Sequence, residues 1–204
     1  MGLTADTLDR LNRFGLLDIK TPYRMLELGC QNVYDQNFNN GRGLTYGMIA
    51  KDYFKNLNID HTSWDITGCQ CSEIVDLRID VDVSKYGQFD VITDFGTTEH
   101  IENLEDKGFY EAFRNIHNLC KTNGYMIHET PLTGHWIGHG YNYVTEDFYL
   151  SLAKDMGYEI LELTTHFCMG NFIDGCLVCC ILKKVDDRPF IKKEIFSKYD
   201  FRKS

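Results

Sequence analysis

A doubly wound α/β fold with a mostly parallel sheet is what this sequence predicts, on three observations. Short apolar strand patterns alternate with amphipathic helical patterns through the middle of the chain, an order that implies parallel pairing. Two strand-like runs, 158–167 and 175–184, follow each other without an intervening helix and predict a hairpin that closes the sheet antiparallel. Polar residues also gather just after apolar runs, where open α/β sheets collect their ligands.

The first pattern, 4–14, sets Leu8 and Leu11 at helical spacing behind Thr4 or Asp6 as caps, and predicts a short helix. Residues 23–30, YRMLELGC, predict the first strand, with Glu27 two positions before Gly29 at its end. A glycine there lets the backbone approach a ligand, and a carboxylate beside it can accept from a ligand amine or hydroxyl. A polar loop, 30–43, leads to a helical pattern at 44–57. Residues 59–66 predict a second strand that places Asp65 at its carboxyl end, and 73–83 a third, less buried strand carrying Asp76.

FDVITDFGTTEHIEN, 89–103, predicts a buried strand to Phe95 that breaks at Gly96 and delivers Thr97, Thr98, Glu99 and His100 onto a loop. An amphipathic helix follows over 104–120, stopped by Asn123-Gly124, and then a strand over 125–130. The glycine- and histidine-rich stretch 132–143 is too long for an ordinary connection, which marks a functional loop. Thr145 caps a helix over 146–156 that Gly157 ends.

Composition narrows the function. Among 204 residues, 43% hydrophobic and 13% aromatic suffice for a full core, and the length suits one domain over 1–204, with its core at 23–184. A net charge of -9, from 21 basic and 30 acidic residues, disfavours nucleic acid and anionic lipid as partners and favours a small-molecule substrate. The Lys-rich tail, 185–204, reads as a solvated terminus. No apolar run reaches the roughly 20 residues of a membrane span and no signal-peptide pattern opens the chain, so a cytoplasmic protein is expected. Eight cysteines, several inside apolar runs such as CLVCCIL, read as free thiols in a reducing compartment. Oligomeric state is not encoded in any pattern here.

Taken together, LELGC, the acidic strand ends, FDVITDFGTTEHIEN, NGYMIHETP and the closing hairpin resemble the class I S-adenosylmethionine-dependent methyltransferases, small-molecule type, over roughly 23–184. TTEHIEN is similar to the signature that follows the fourth strand in that family. The resemblance implies a Rossmann-like sheet of about seven strands, the last antiparallel, with helices on both faces and S-adenosyl-L-methionine across the strand ends. It implies that Glu27, Gly29 and Gln31 meet the methionine moiety, Asp65 the ribose, Asp76 and Leu77 the adenine, and that Asp94 and Phe95 border the cofactor. The chain departs from the family's E-x-G-x-G-x-G in keeping only Gly29; Gln31 stands at the second glycine.

Methyl transfer needs an oriented nucleophile and, for oxygen or nitrogen acceptors, a group that takes its proton. Glu99, His100, His135 and His139 are the candidates, acting on a small polar acceptor such as a sugar. No resident metal is assigned. A metal-dependent enzyme built on His128, His135 and His139, with Glu129, Glu99 or Asp94, is the alternative, although HETPL has leucine at 132 and is not H-E-x-x-H. A non-catalytic module of the same fold is the other.

Overall fold

The computed structural model of the chain describes residues 2–17, 23–33, 47–104, 107–169 and 174–203. The expected loop 30–43, the start of the expected helix 44–57 and the hairpin connection at 170–173 lie mostly or wholly outside these residues. In chain order the elements are α1 (Ala5–Arg13), β1 (Arg24–Leu28), α2 (Ala50–Asn56), β2 (Asp60–Asp65), β3 (Glu73–Ile74), α3 (Val83–Tyr86), β4 (Phe89–Phe95), α4 (Phe109–Leu119), β5 (Cys120–Pro131), β6 (Asn142–Val144), α5 (Glu146–Met156), β7 (Glu159–Met169), β8 (Asp174–Lys183), α6 (Lys193–Phe196) and β9 (Phe201–Lys203).

Seven strands form one sheet in the order β3-β2-β1-β4-β5-β8-β7. Pairing is parallel from β3 to β5, and β8 runs antiparallel to both β5 and β7, as the two adjacent strand patterns require. Alternation along β1 sorts its side chains onto two cores. Leu26 and Leu28 join the cluster beneath α4 and α5, while Met25 joins the one beneath α1 and α2. Helices therefore cover both faces. No helix among the described residues is long and apolar enough to cross a membrane.

Four expectations change. The third strand is two exposed residues rather than 73–83, because the backbone beyond it has another partner: Asn115 on α4 donates to Leu77 O at 3.0 Å and Ile79 O at 2.7 Å, and accepts from Val81 N at 3.1 Å. The helix expected over 104–120 starts at Phe109 and ends at Leu119, ahead of Asn123-Gly124. Its last turn is closed by Lys184, whose buried ammonium donates to His117 O and Cys120 O, each at 3.0 Å, so a cation caps the negative end of the helix. Asn123 (φ 67) and Gly124 sit inside β5, where the pairing slips between Phe89 and Val91 of β4.

Within the expected loop 132–143, residues 142 and 143 are ordered with Val144 as β6, which pairs antiparallel with β9 at the far end of the chain. The tail is thus not a solvated terminus. Phe196 is buried against Phe109 and Phe113 of α4, Tyr110 OH donates to Ile191 O at 2.8 Å, and Lys193 pairs with Glu111 at 3.1 Å.

Candidate active site

The strand order reverses between β1 and β4, and at that point the loops after β1, β2 and β4 diverge to leave a cleft of about 410 Å³. Of the residues singled out in the sequence, Gly29, Gln31, Asp65, Asp76, Leu77 and His100 line it. Thr97 and Tyr141, from the two loops the sequence marked, line it too, as do Cys30, Trp64, Arg78, Ile101 and Glu102, which no sequence pattern had marked for it.

Gly29 begins the cleft with φ +75, a backbone conformation open to glycine. Its N–H donates to Trp64 O at 2.7 Å and its carbonyl accepts from Ser63 Oγ at 3.0 Å, so the ends of β1 and β2 are tied together. Gln31 is buried and its Oε1 has no hydrogen-bond partner among the described residues. Glu27 lies beneath the glycine and does not line the cleft. Its Oε1 is likewise unpartnered, and burial pushes the carboxyl up to about 8.

Asp65 Oδ1 accepts from Thr67 N at 2.7 Å and Thr67 Oγ1 at 2.6 Å. Burial works against its charge, but these hydrogen bonds hold the carboxyl below the usual carboxylate range. Asp76 is gripped by Arg78, with Nε at 2.9 Å and a terminal nitrogen at 2.9 Å, and the Arg78 hydrogen bond keeps it ionised further into acid.

Asp94 and Phe95 do not border the open cleft. Asp94 is fully buried and spends its oxygens on the turn that follows β4: Oδ1 accepts from Thr97 N at 3.2 Å and Thr98 N at 3.1 Å, and Oδ2 from Thr98 Oγ1 at 2.6 Å. Oδ2 also lies 3.0 Å from His128 Nδ1, whose ring stacks on Phe113. Asp94 therefore shapes the turn that presents residues 98–100.

That turn sets Glu99 inward, 1% exposed, with neither carboxylate oxygen hydrogen-bonded among the described residues. Its Oε1 lies 3.7 Å from His100 Nε2 and 3.7 Å from His139 Nε2, and the two imidazoles meet edge to face at 4.7 Å. Partial burial lowers the His100 pKa from its ordinary value, against the pull of the Glu99 carboxylate.

The loop after β5 brings His139 here by a specific set of bonds. Tyr143 OH accepts from His139 N and Gly140 N, each at 3.0 Å, and donates to Trp136 O at 2.9 Å; Trp136 Nε1 donates to Cys176 O at 3.1 Å. Gly140 lies so close to Glu99 that a Cβ there would stand 2.7 Å from Glu99 O. Tyr141 N then donates to that carbonyl at 2.7 Å.

The histidine set 128, 135 and 139 does not assemble. His128 is spent on Asp94, and His135 packs beside Gly175, leaving His139 with Glu99 and His100. The arrangement brings together a ligand-sized cleft and an ionisable group of three at its edge, within the volumes typical of small-molecule sites, roughly 300–1,000 Å³.

Comparison with known proteins agrees with this architecture. Solved structures with the same fold include N-methyltransferase NodS from Bradyrhizobium japonicum in complex with S-adenosyl-L-homocysteine, at 13% identity and a TM-score of 0.54, covering 90% of this chain and 89% of that one. A second is the Burkholderia thailandensis 1,6-didemethyltoxoflavin-N1-methyltransferase with bound 1,6-didemethyltoxoflavin and S-adenosylhomocysteine, at 14% identity and TM-score 0.53, covering 86% of this chain and 75% of that one. TehB from Haemophilus influenzae matches at 15% identity and TM-score 0.57, over 89% of this chain and 62% of that one. No curated protein matches the chain by sequence. The family model described as a methyltransferase domain matches residues 3–169, most of the chain. This protein belongs to the family of methyltransferase domains.

Proposed function

We propose that this methyltransferase domain transfers the methyl group of S-adenosyl-L-methionine to a small polar, sugar-like acceptor held at Glu99, His100 and His139. One observation carries the reading: His100 lines the same cleft as Gly29, Gln31, Asp65 and Leu77, so cofactor and acceptor groups share one cavity.

The residues present fit the cofactor. Gly29 leaves its backbone bare at the strand end, and the unpartnered Gln31 Oε1 on the cleft wall, with Glu27 buried beneath it, is an acceptor for an ammonium group. Asp65, ionised at the end of β2, suits a ribose diol, and Leu77 with Asp76 suits an adenine ring. The neighbours from Bradyrhizobium and Burkholderia, each with S-adenosylhomocysteine bound, support the choice of cofactor.

When bound, the cofactor supplies a methyl group on a sulfonium, open to in-line displacement by a lone pair of the acceptor. This chain's residues orient that lone pair and receive the acceptor's proton. His100, with its pKa lowered, is neutral at pH 7 and able to take a proton, and Glu99 stabilises the charge that results. His139 closes the acceptor side, while Asp94 and Tyr143 hold the two loops in place.

Thermal unfolding with S-adenosylhomocysteine tests the reading. Ligand at 100 times its Kd stabilises by about 2.7 kcal/mol, several degrees in Tm for a domain of this size. A Tm that does not move at millimolar ligand rejects it.

A further inference from the structure

Glu99 presents a problem that the protein alone leaves unsolved. Its carboxylate is 1% exposed, yet no N–H or O–H among the described residues donates to either oxygen. Two imidazole nitrogens face the same oxygen at 3.7 Å, beyond hydrogen-bond reach, and His139 Nε2 is itself buried and unpartnered. Unpaired buried carboxylates are expensive, so a group with three polar atoms turned toward an empty centre is built to receive a cation.

The distances suit a metal ion. The donor atoms of Glu99, His100 and His139 all lie within 4.8 Å of one another, and atoms 3.7 Å apart can each stand about 2.1 Å from one ion. Two imidazoles and one carboxylate are a donor set for zinc and neighbouring divalent ions, and they leave positions open. The group stands at the edge of the cleft, which His100, one of its donors, and Tyr141 line. The loops that carry the donors are themselves fixed, by Asp94 on one side and by Tyr143 and Gly140 on the other.

We propose that Glu99, His100 and His139 bind one divalent transition-metal ion of the zinc type, and that the acceptor is a small molecule offering a hydroxyl oxygen to it. This deepens the methyl-transfer reading and rests on it. The ion takes over both the charge stabilisation given above to the three side chains and the proton-accepting role given to His100, whose Nε2 becomes a ligand. It acidifies the hydroxyl, whose proton leaves to solvent; the oxygen lone pair then forms the O–CH3 bond as the S–CH3 bond breaks and its electron pair stays on sulfur.

Among the described residues the other three-donor group, Glu129, His166 and Cys179, does not compete well. Arg10 lies 3.4 Å from Glu129 and already holds a cation's place there.

Titration of chelator-stripped, untagged protein with Co2+ decides the matter by absorption spectroscopy. One equivalent should bind with weak visible bands and no thiolate charge-transfer band, and His139→Ala and Glu99→Gln should each weaken binding at least tenfold. His135→Ala should leave it unchanged. S-adenosylhomocysteine affinity, measured on the same samples, serves as the fold control and as the separate test of the cofactor reading. Failure of wild type to bind Co2+, equal binding by His139→Ala, or a thiolate band that places the ion at Cys179 overturns the metal site even if S-adenosylhomocysteine binds. Should Glu99→Gln fail to fold, Co2+ binding by His139→Ala decides between the same two outcomes.

Discussion

Thr97 Oγ1 stands where a Cβ on Gly29 would have to go, 2.4 Å from that position, and from there donates to Leu28 O at 2.7 Å. The loops after β1 and β4 thus interlock at the switch point of the sheet, and this wall of the cleft has room for glycine alone.

Gly29→Ala should accordingly cost about 2 kcal/mol or more of stability, since it adds left-handed strain and displaces the Thr97 hydrogen bond. S-adenosylhomocysteine affinity should fall at least tenfold by isothermal titration. Unchanged affinity would show that this glycine does not form part of the binding wall.

Tyr143→Phe removes the hydroxyl that accepts from His139 N and Gly140 N and donates to Trp136 O. Stability should drop by about 1–3 kcal/mol. Methyl transfer should fall about tenfold or more through a misplaced His139, while the Kd for S-adenosylhomocysteine stays within about twofold. An equal loss in both quantities would indicate general unfolding of the loop instead of a displaced histidine.

Stability should peak near pH 6.5. Burial, first, and a nearby lysine charge lower His61 and His117 to about 4 from 6.5, so the unfolded chain binds their protons first and stability falls as pH drops from 6.5 toward 4. Glu27 acts oppositely. Burial raises it from 4.5 to about 8, so the unfolded chain loses that proton first and stability falls as pH rises through that window. Between 4.5 and 6.5 two histidines outweigh one carboxyl; above 6.5 the carboxyl acts alone. Glu27→Gln should flatten the limb from pH 6.5 to 8 in Tm measured against pH, and a limb of unchanged slope would place its cause elsewhere.

Lys184→Met should destabilise by about 2–4 kcal/mol, because two carbonyls at the end of α4 lose their donor inside the protein. Urea unfolding at constant m-value measures the loss. Cofactor affinity should not change, as Lys184 and the carbonyls it binds do not line the cleft.

The ends of local patterns were poorly legible in the sequence for identifiable reasons. Asn123-Gly124 reads as a helix stop, yet the helix already ends at Leu119 on a lysine some 65 residues away, and the pair serves as an irregularity in β5. The alternation at 73–83 reads as a strand until Asn115 offers its backbone a different set of hydrogen bonds. A lysine-rich tail reads as solvated, although Phe190, Ile191, Phe196, Tyr199 and Phe201 supply it with an apolar face that packs on the core.

What the sequence determined by itself is the fold class, the order of strands and helices and the identity of Gly29, Asp65 and His100 as cleft residues, because burial patterns and glycine positions are local signals. Tertiary structure alone decided which side chains meet. Glu99 and His139 are 40 positions apart and come within 3.7 Å only because Gly140 and Tyr143 press one loop onto another, whereas Asp94, another carboxylate five residues before Glu99, is drawn under the turn by Thr97, Thr98 and His128. Long-range hydrogen bonds of that kind leave no periodicity in a sequence.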